Sequence, residues 1–168
     1  MTTDKTTQHL LDNIGWKLIV ELQQDARVPF AELGRRVGLS TPAVTERVRR
    51  LEEAGIIAGY HAEIDHSRLG LPVLAFVRVN VLGSELSRFA KKAAERPEVL
   101  EVHRVTGAES FIIKVAVRNQ SNLEKVIDSL MPYLATTTSL VLSSSLTWRC
   151  MHPEDEPRGP APAPVRTK

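Results

Sequence analysis

The chain is poor in several things, and each shortage removes a class of protein. Cys150 is its only cysteine among 168 residues, so no internal disulfide can staple it, and a reducing compartment suits it. Long apolar runs are missing too. The longest, "GLPVLAFVRVNVLG", is broken by Arg78 and Asn80, well short of the ~20 residues a membrane-spanning helix needs, and no membrane partner is expected. The N-terminal "MTTDKTTQHLLDN" lacks the charged-then-apolar layout of a secretory signal, so the expected location is cytoplasmic. Excess charge of one sign is also lacking: 22 basic against 20 acidic side chains leave +2, and any nucleic-acid binding must come from a local patch. His61 and His66 stand five apart with no recognised ligand spacing, and Cys150 has no partner set; no metal, cofactor or catalytic residue is expected from them. What remains is ordinary globular material, 42% hydrophobic and 25% charged, enough for one domain or two small ones.

Periodicity divides it. Leu11, Ile14, Leu18 and Leu22 fall at helical spacing between Leu10 and Gln23, and "QQDARVP" breaks the pattern. Phe30, Leu33 and Val37 mark a short second helix that Pro29 enters and Gly38 closes. Ser40 is placed to cap a third helix, with Pro42 in its first turn, running to about Ala54. Gly55 ends it, and "IIAGYHAEID" reads as a strand, one arm of a wing, followed by a connector through "HSRLGLP". Beyond Leu71 come the strand "VLAFVRVNV", the helix "SELSRFAKKAAER" stopped by Pro97, the strand "VLEVHRV", a turn at Thr106-Gly107, the strand "FIIKVAV", a helix from about Ser121 to Leu134, and the strand "TSLVLSSSLTW". The order βαββαβ is that of a ferredoxin-like antiparallel sheet with both helices on one face, so the class is α+β. The proline-rich end, "HPEDEPRGPAPAPVRTK", has little to bury and reads as disordered. The expected domains are 1–55 (helix-turn-helix), 56–71 (wing and hinge connector), 72–150 (sheet domain) and 151–168 (tail).

The third helix carries the chemistry. At 100° per residue Val44, Val48 and Leu51 share one face, while Pro42, Thr45, Glu46, Arg49 and Arg50 point away. Two helices joined by a tight glycine-containing turn, the second presenting Thr and Arg outward, is the helix-turn-helix arrangement. Ser40, Thr41 and Pro42 at the helix entry, with Thr45, Glu46 and Arg49, are the candidates for base edges, and Arg50 and Arg36 for phosphates. Residues 27–53 hold six arginines against four glutamates, a modest surplus. A solvated amphipathic helix is the plain alternative, and the order of three helices followed by a strand weighs against it. Arg47 lies about 60° from the apolar stripe, so bracing the fold and reaching a phosphate stand equally open.

The stretches "LLDNIGWKLIVELQQDARVPFAELGRRVGLS", "AVTERVRRLEEAGIIAGYHAEID", Leu69-Gly70, "VTG" at 105–107 and "TTTSLVLS" at 136–143 together resemble the Lrp/AsnC, or feast/famine, family of transcriptional regulators. The resemblance implies a winged helix-turn-helix that binds double-stranded DNA, a hinge strand, and a βαββαβ domain that dimerises and senses small molecules, commonly amino acids. Three positions depart from the family: Gly15 where an acid is frequent, Pro29 where a serine is, and Ser110 where the "TG-x-x-D" motif has Asp. The turn Thr106, Gly107, Ala108, Glu109, Ser110 resembles the family's sensing loop, and Thr136 and Thr138 stand where related regulators line the same pocket. With Ser110 offering no charge, the expectation is either an effector class less dependent on an ammonium contact or no amino-acid response at all, the first being the better reading. On the first sheet strand Val73, Ala75, Val77, Val79 and Val81 alternate with Leu74, Phe76, Arg78 and Asn80, so the second face is partly apolar. The resemblance supplies its cover: a second copy, giving a homodimer and larger assemblies such as a tetramer or octamer. The runner-up is a siroheme-type tetrapyrrole decarboxylase of the same two-domain architecture, for which His103 in "LEVHRV" is the candidate; an ordinary strand histidine is the better reading.

Overall fold

The computed structural model describes residues 5–130 and 135–153. These fall into two compact units, one formed by the residues up to 62 together with those from 146 onward, the other by residues 63–145.

The first unit is helical: α1 (Lys5–Leu10), α2 (Asn13–Gln24), α3 (Phe30–Val37) and α4 (Thr41–Glu53). The single helix expected over Leu10–Gln23 is in fact interrupted. Asp12 adopts an extended conformation and its Oδ1 accepts the Gly15 N–H at 2.7 Å, which starts α2 afresh. Gly15 is required there, because a Cβ would sit 1.8 Å from the Leu10 carbonyl oxygen. Leu18 and Leu22 of α2, Leu33 and Val37 of α3, and Val44, Val48 and Leu51 of α4 form the core with Val28. Gly34 receives two N–H groups on its carbonyl, from Gly38 and Leu39, and a Cβ on it would meet the Leu39 oxygen at 2.5 Å. That close approach sets the turn between α3 and α4. Ser40 occupies the cap position of α4, but its side chain makes no capping bond, contrary to expectation; its carbonyl accepts from Val44 N–H at 3.0 Å.

The run "IIAGYHAEID" forms no strand. Ile56 and Ile57 give their N–H groups to the Leu51 carbonyl and pack under the helical core, and residues 58–65 continue without a ladder. The pattern of a strand is present, but a strand also needs a neighbour, and among the described residues none lies beside it. The chain end differs too. Cys150 is buried, with Sγ 3.9 Å from the Val20 carbonyl, and Gln23 exchanges two hydrogen bonds with Met151, at 3.0 and 2.9 Å. The boundary placed between residues 150 and 151 thus cuts a segment fastened to α2. The expected disorder of residues 154–168 lies outside the described residues.

The second unit contains β1 (Val73–Asn80), α5 (Leu86–Ala94), β2 (Val99–Arg104), β3 (Phe111–Val117), α6 (Gln120–Leu130) and β4 (Ala135–Leu140). The sheet is antiparallel in the order β2-β3-β1-β4. Ala75, Val77 and Val79 of β1 and Phe111, Ile113, Val115 and Val117 of β3 bury one face against Phe89 and Ala93 of α5 and Leu123, Val126 and Leu130 of α6. Phe89 and Phe111 stack with ring centroids 4.9 Å apart. Leu74, Phe76 and Arg78 alternate onto the other face, as the sequence requires. The last strand begins three residues earlier than expected and stops at Leu140. After Val141 N–H reaches the Leu74 carbonyl at 2.9 Å, β1 offers no further partner, and Leu142 is 95% exposed. The expected continuation of the second helix to Leu134 runs into residues 131–134, outside those described.

Candidate nucleic-acid interface and effector site

Burying Val44, Val48 and Leu51 turns the opposite side of α4 outward, where Thr41, Pro42, Thr45, Arg49 and Arg50 are exposed. This side is a mesh of ion pairs. Glu46 accepts Arg49 through both oxygens, Nε to Oε2 at 3.0 Å and Nη2 to Oε1 at 2.8 Å, and the same Oε1 accepts Arg50 Nε at 2.8 Å. Arg49 Nη1 also reaches Glu53. The two guanidiniums hold the Glu46 carboxyl down at about 2, Arg49 contributing most, and Glu46 in turn raises Arg49. Thr45 donates its hydroxyl to the Thr41 carbonyl at 2.9 Å. On α3, Arg35 pairs with Glu32, while Arg36 spans Glu32 (2.8 Å) and Glu21 of α2 (2.7 Å).

Arg47 realises the bracing alternative. Its Nη1 lies 2.8 and 2.9 Å from the two oxygens of Asp12, so α4 is tied to the start of α2 rather than offering this guanidinium outward. Arg47 first and the Gly15 N–H second hold the Asp12 carboxyl below its ordinary range. Sequence reasoning missed Asp12 and Glu21 as counter-charges because neither shares a helix with its arginine: Glu21 stands on α2 and Arg36 on α3, while Asp12 precedes α2 and Arg47 lies on α4. The Glu32–Arg36 pair, by contrast, was available from its i,i+4 spacing. Pro42, Thr45, Glu46, Arg49 and Arg50 share the outward side of α4, with Ser40 and Thr41 exposed at its entry; Arg36 stands on α3, tethered to α2.

The effector candidates gather at one end of the sheet. Thr106, Gly107 and Ala108 are exposed in the β2–β3 turn, with Gly107 at φ 122° and Val105 N–H to Ser110 O at 3.1 Å closing the loop. Ser110 is fully engaged: its N–H donates to Val79 O at 2.9 Å, its hydroxyl donates to Val81 O at 3.1 Å, and Val81 N–H donates back to that hydroxyl at 3.1 Å. The serine therefore stitches β3 to the end of β1. Thr136 pairs with Val79 from the opposite side, and strand spacing puts it two strands, roughly 10 Å, from the 110 position. Thr138 follows on the same face as Thr136, and Glu109 is half-buried beside Ser110. Loop and strand thus converge on one sheet end without forming a closed chamber from their own hydrogen bonds.

The other candidates are accounted for locally. His103 is an exposed strand residue bonded to Glu101 at 3.0 Å, and Glu101 also takes Lys114 Nζ at 2.8 Å; these partners, His103 first, lower its carboxyl. Burial pushes the Cys150 thiol up, away from a reactive thiolate. Among the described residues no group of His, Cys, Asp and Glu could hold a metal, and no helix is long and apolar enough to cross a membrane.

Comparison with known proteins agrees with both units. An AsnC-type helix-turn-helix domain matches residues 11–52, and an Lrp/AsnC ligand binding domain matches residues 74–147. The transcriptional regulator LrpC of Bacillus subtilis is 38% identical over 133 residues, 79% of this chain and 92% of its own. The leucine-responsive regulatory protein of Rhizobium meliloti is 38% identical over 120 residues, 70% of this chain and 77% of its own. A feast or famine regulatory protein of M. tuberculosis, solved with L-methionine, superposes with a TM-score of 0.79 at 32% identity, covering 85% of this chain and 99% of its own. The chain belongs to the Lrp/AsnC family of transcriptional regulators.

Proposed function

We propose that this regulator binds double-stranded DNA by laying α4 in the major groove and answers a small amino-acid-like effector at the sheet end bounded by residues 106–110, Thr136 and Thr138. The observation that carries the DNA half is the Gly34 turn, which fixes α4 against α3 while its Thr45, Glu46, Arg49 and Arg50 side chains stay outside the core. Relatives solved with, or named for, amino acids support the effector half. The assembly is a homo-oligomer founded on a dimer, in which the open sheet face with Leu74 and Phe76 meets a second copy; Phe76 is 38% exposed in the single chain. The site of action is the cytoplasm. Because Ser110 is committed to Val81 and carries no charge, the effector is one whose ammonium needs little help from this position.

The test is duplex binding with variants of α4. Arg49→Ala costs about 1–3 kcal/mol on a selected operator and relaxes one position, the signature of a base contact. Arg50→Ala weakens all duplexes alike and flattens the salt dependence, the signature of a phosphate contact. Binding unchanged in both variants refutes the orientation given to α4. A calorimetric screen of amino acids against the wild type and Ser110→Asp tests the effector half; tight binding unaffected by the added charge removes residue 110 from the site.

A further inference from the structure

Glu46 stands at the centre of the groove-type face, where a positive surface would be the simpler solution for binding a polyanion. Its side chain is 43% exposed, so its ion pairs with Arg49 and Arg50 contribute little to folding. Their consequence belongs to binding. A carboxylate carried into a groove flanked by phosphates is repelled on every sequence, and a glutamate, ionised at ordinary pH, carries that charge with it. Only one class of base edge offsets that repulsion in the major groove: an exocyclic amine, of which the cytosine N4 amino group is the unencumbered donor. The two guanidiniums hanging on the same carboxylate complete the device. Arg49 gives Glu46 both Nε and Nη2, the fork that would otherwise read a guanine, and Arg50 gives it Nε.

Resting on the DNA-binding reading above, we infer that Glu46 is a specificity-determining residue of this regulator: it holds Arg49 and Arg50 in a carboxylate fork and accepts the amino group of a cytosine when α4 docks. On a duplex with cytosine at that position, the carboxylate keeps a hydrogen-bond donor while the arginines turn to neighbouring guanine and phosphate. On any other sequence the arginines leave an unpaired charge behind or stay on Glu46 and withhold their own contacts. Discrimination therefore comes from penalising wrong sequences as much as from rewarding the right one.

The experiment uses the full chain. A random duplex library is selected with the wild type, with Glu46→Ala and with Glu46→Gln, and affinities are then measured on the selected operator and on a scrambled duplex. Thermal melts accompany each variant and should be unchanged, since the side chain lies outside the core. For Glu46→Ala the expected result is tighter binding to the scrambled duplex, a fall of about tenfold or more in the operator-to-scrambled ratio, and loss of a cytosine preference at one position per half-site. Glu46→Gln, which keeps an acceptor and loses the charge, should retain part of the cytosine preference while binding scrambled DNA more tightly. If the wild type binds duplexes with the same base preferences and ratio as Glu46→Ala, this inference is overturned and the DNA-binding reading stands. A wild type that binds no duplex overturns both.

Discussion

The two units solve the problem of a small core differently. The sheet unit fills its interior with β-branched residues from two central strands and locks them with an aromatic pair, Phe89 of α5 against Phe111 of β3. Among the described residues the helical unit has only aliphatic side chains fully buried, with Trp16 at the margin, and it takes its precision from backbone approaches that exclude a Cβ at Gly15 and Gly34. Side-chain volume specifies the first, and backbone proximity the second. The same split appears in the two proposed sites: α4 offers named side chains outward, whereas the sheet end offers a turn, a hydroxyl already engaged and two threonines.

The comparison breaks most visibly at Phe89. Truncation to Ala removes a fully buried ring and its partner contact, and should cost about 3–5 kcal/mol. Amide exchange along β1 and β3 reads it; protection that survives intact in those strands would show that the aromatic pair is not what holds this core. Gly34→Ala comes next. A methyl group forced within 2.5 Å of the Leu39 carbonyl must displace the α3–α4 turn, and the expected loss is about 1–3 kcal/mol, reduced by the better helix propensity of alanine. Here the probe is exchange in α3 and α4, with operator binding falling in step. A stabilised variant would mean that the turn relaxes freely and that proximity does not specify this unit.

Legibility follows the same division. The α3–α4 pair could be read from sequence because Gly38, Pro42 and the Val44, Val48, Leu51 stripe are local signals. The break at Asp12 could not, since Leu11, Ile14, Leu18 and Leu22 keep helical phase straight across it and the cap is a single hydrogen bond. The alternation in β1 declared both faces of the sheet, yet the extent of β4 depended on where β1 begins, a fact five elements away in the chain. Residues 56–65 show the limit most plainly: the pattern specifies which side chains alternate, and only a neighbouring backbone turns that into a strand. At the proposed effector end, residue types announced the turn, but that Ser110 bonds Val81, just past β1, was not visible in "TGAES".

A smaller effect belongs to the returning chain end. Ending the protein at Arg149 removes the Cys150 side chain from α2 and leaves Gln23 without its two bonds to Met151, which should lower stability by about 1–2 kcal/mol. Gln23→Ala should reproduce the hydrogen-bond share of that loss. A melt unchanged by either variant would place the segment on the surface as a passenger and leave the helical unit self-sufficient.

The smallest expected effect isolates the Arg47–Asp12 pair through pH. Asp12 is held below its ordinary value by Arg47 first and by the Gly15 N–H second, and its side chain is 43% exposed, so solvent screens much of the interaction. A depressed carboxyl stabilises the fold at pH above its unfolded value near ~3.9 and loses that contribution as pH falls through the lower, folded value. The helical unit should therefore soften between about pH 5 and the acid limit of the Asp12 titration, by no more than about 1 kcal/mol from this pair. Other carboxylates are held low by their partners as well, Glu46 and Glu101 among them, so the informative quantity is the difference between the wild type and Arg47→Ala. That variant removes the guanidinium and leaves the cap bond from Gly15 in place. The two melting curves against pH should be separated near neutrality and converge in acid. Parallel curves would mean that Arg47 stabilises α4 through its aliphatic stem alone, and a variant with weakened operator binding but parallel curves would return Arg47 to the DNA-facing set.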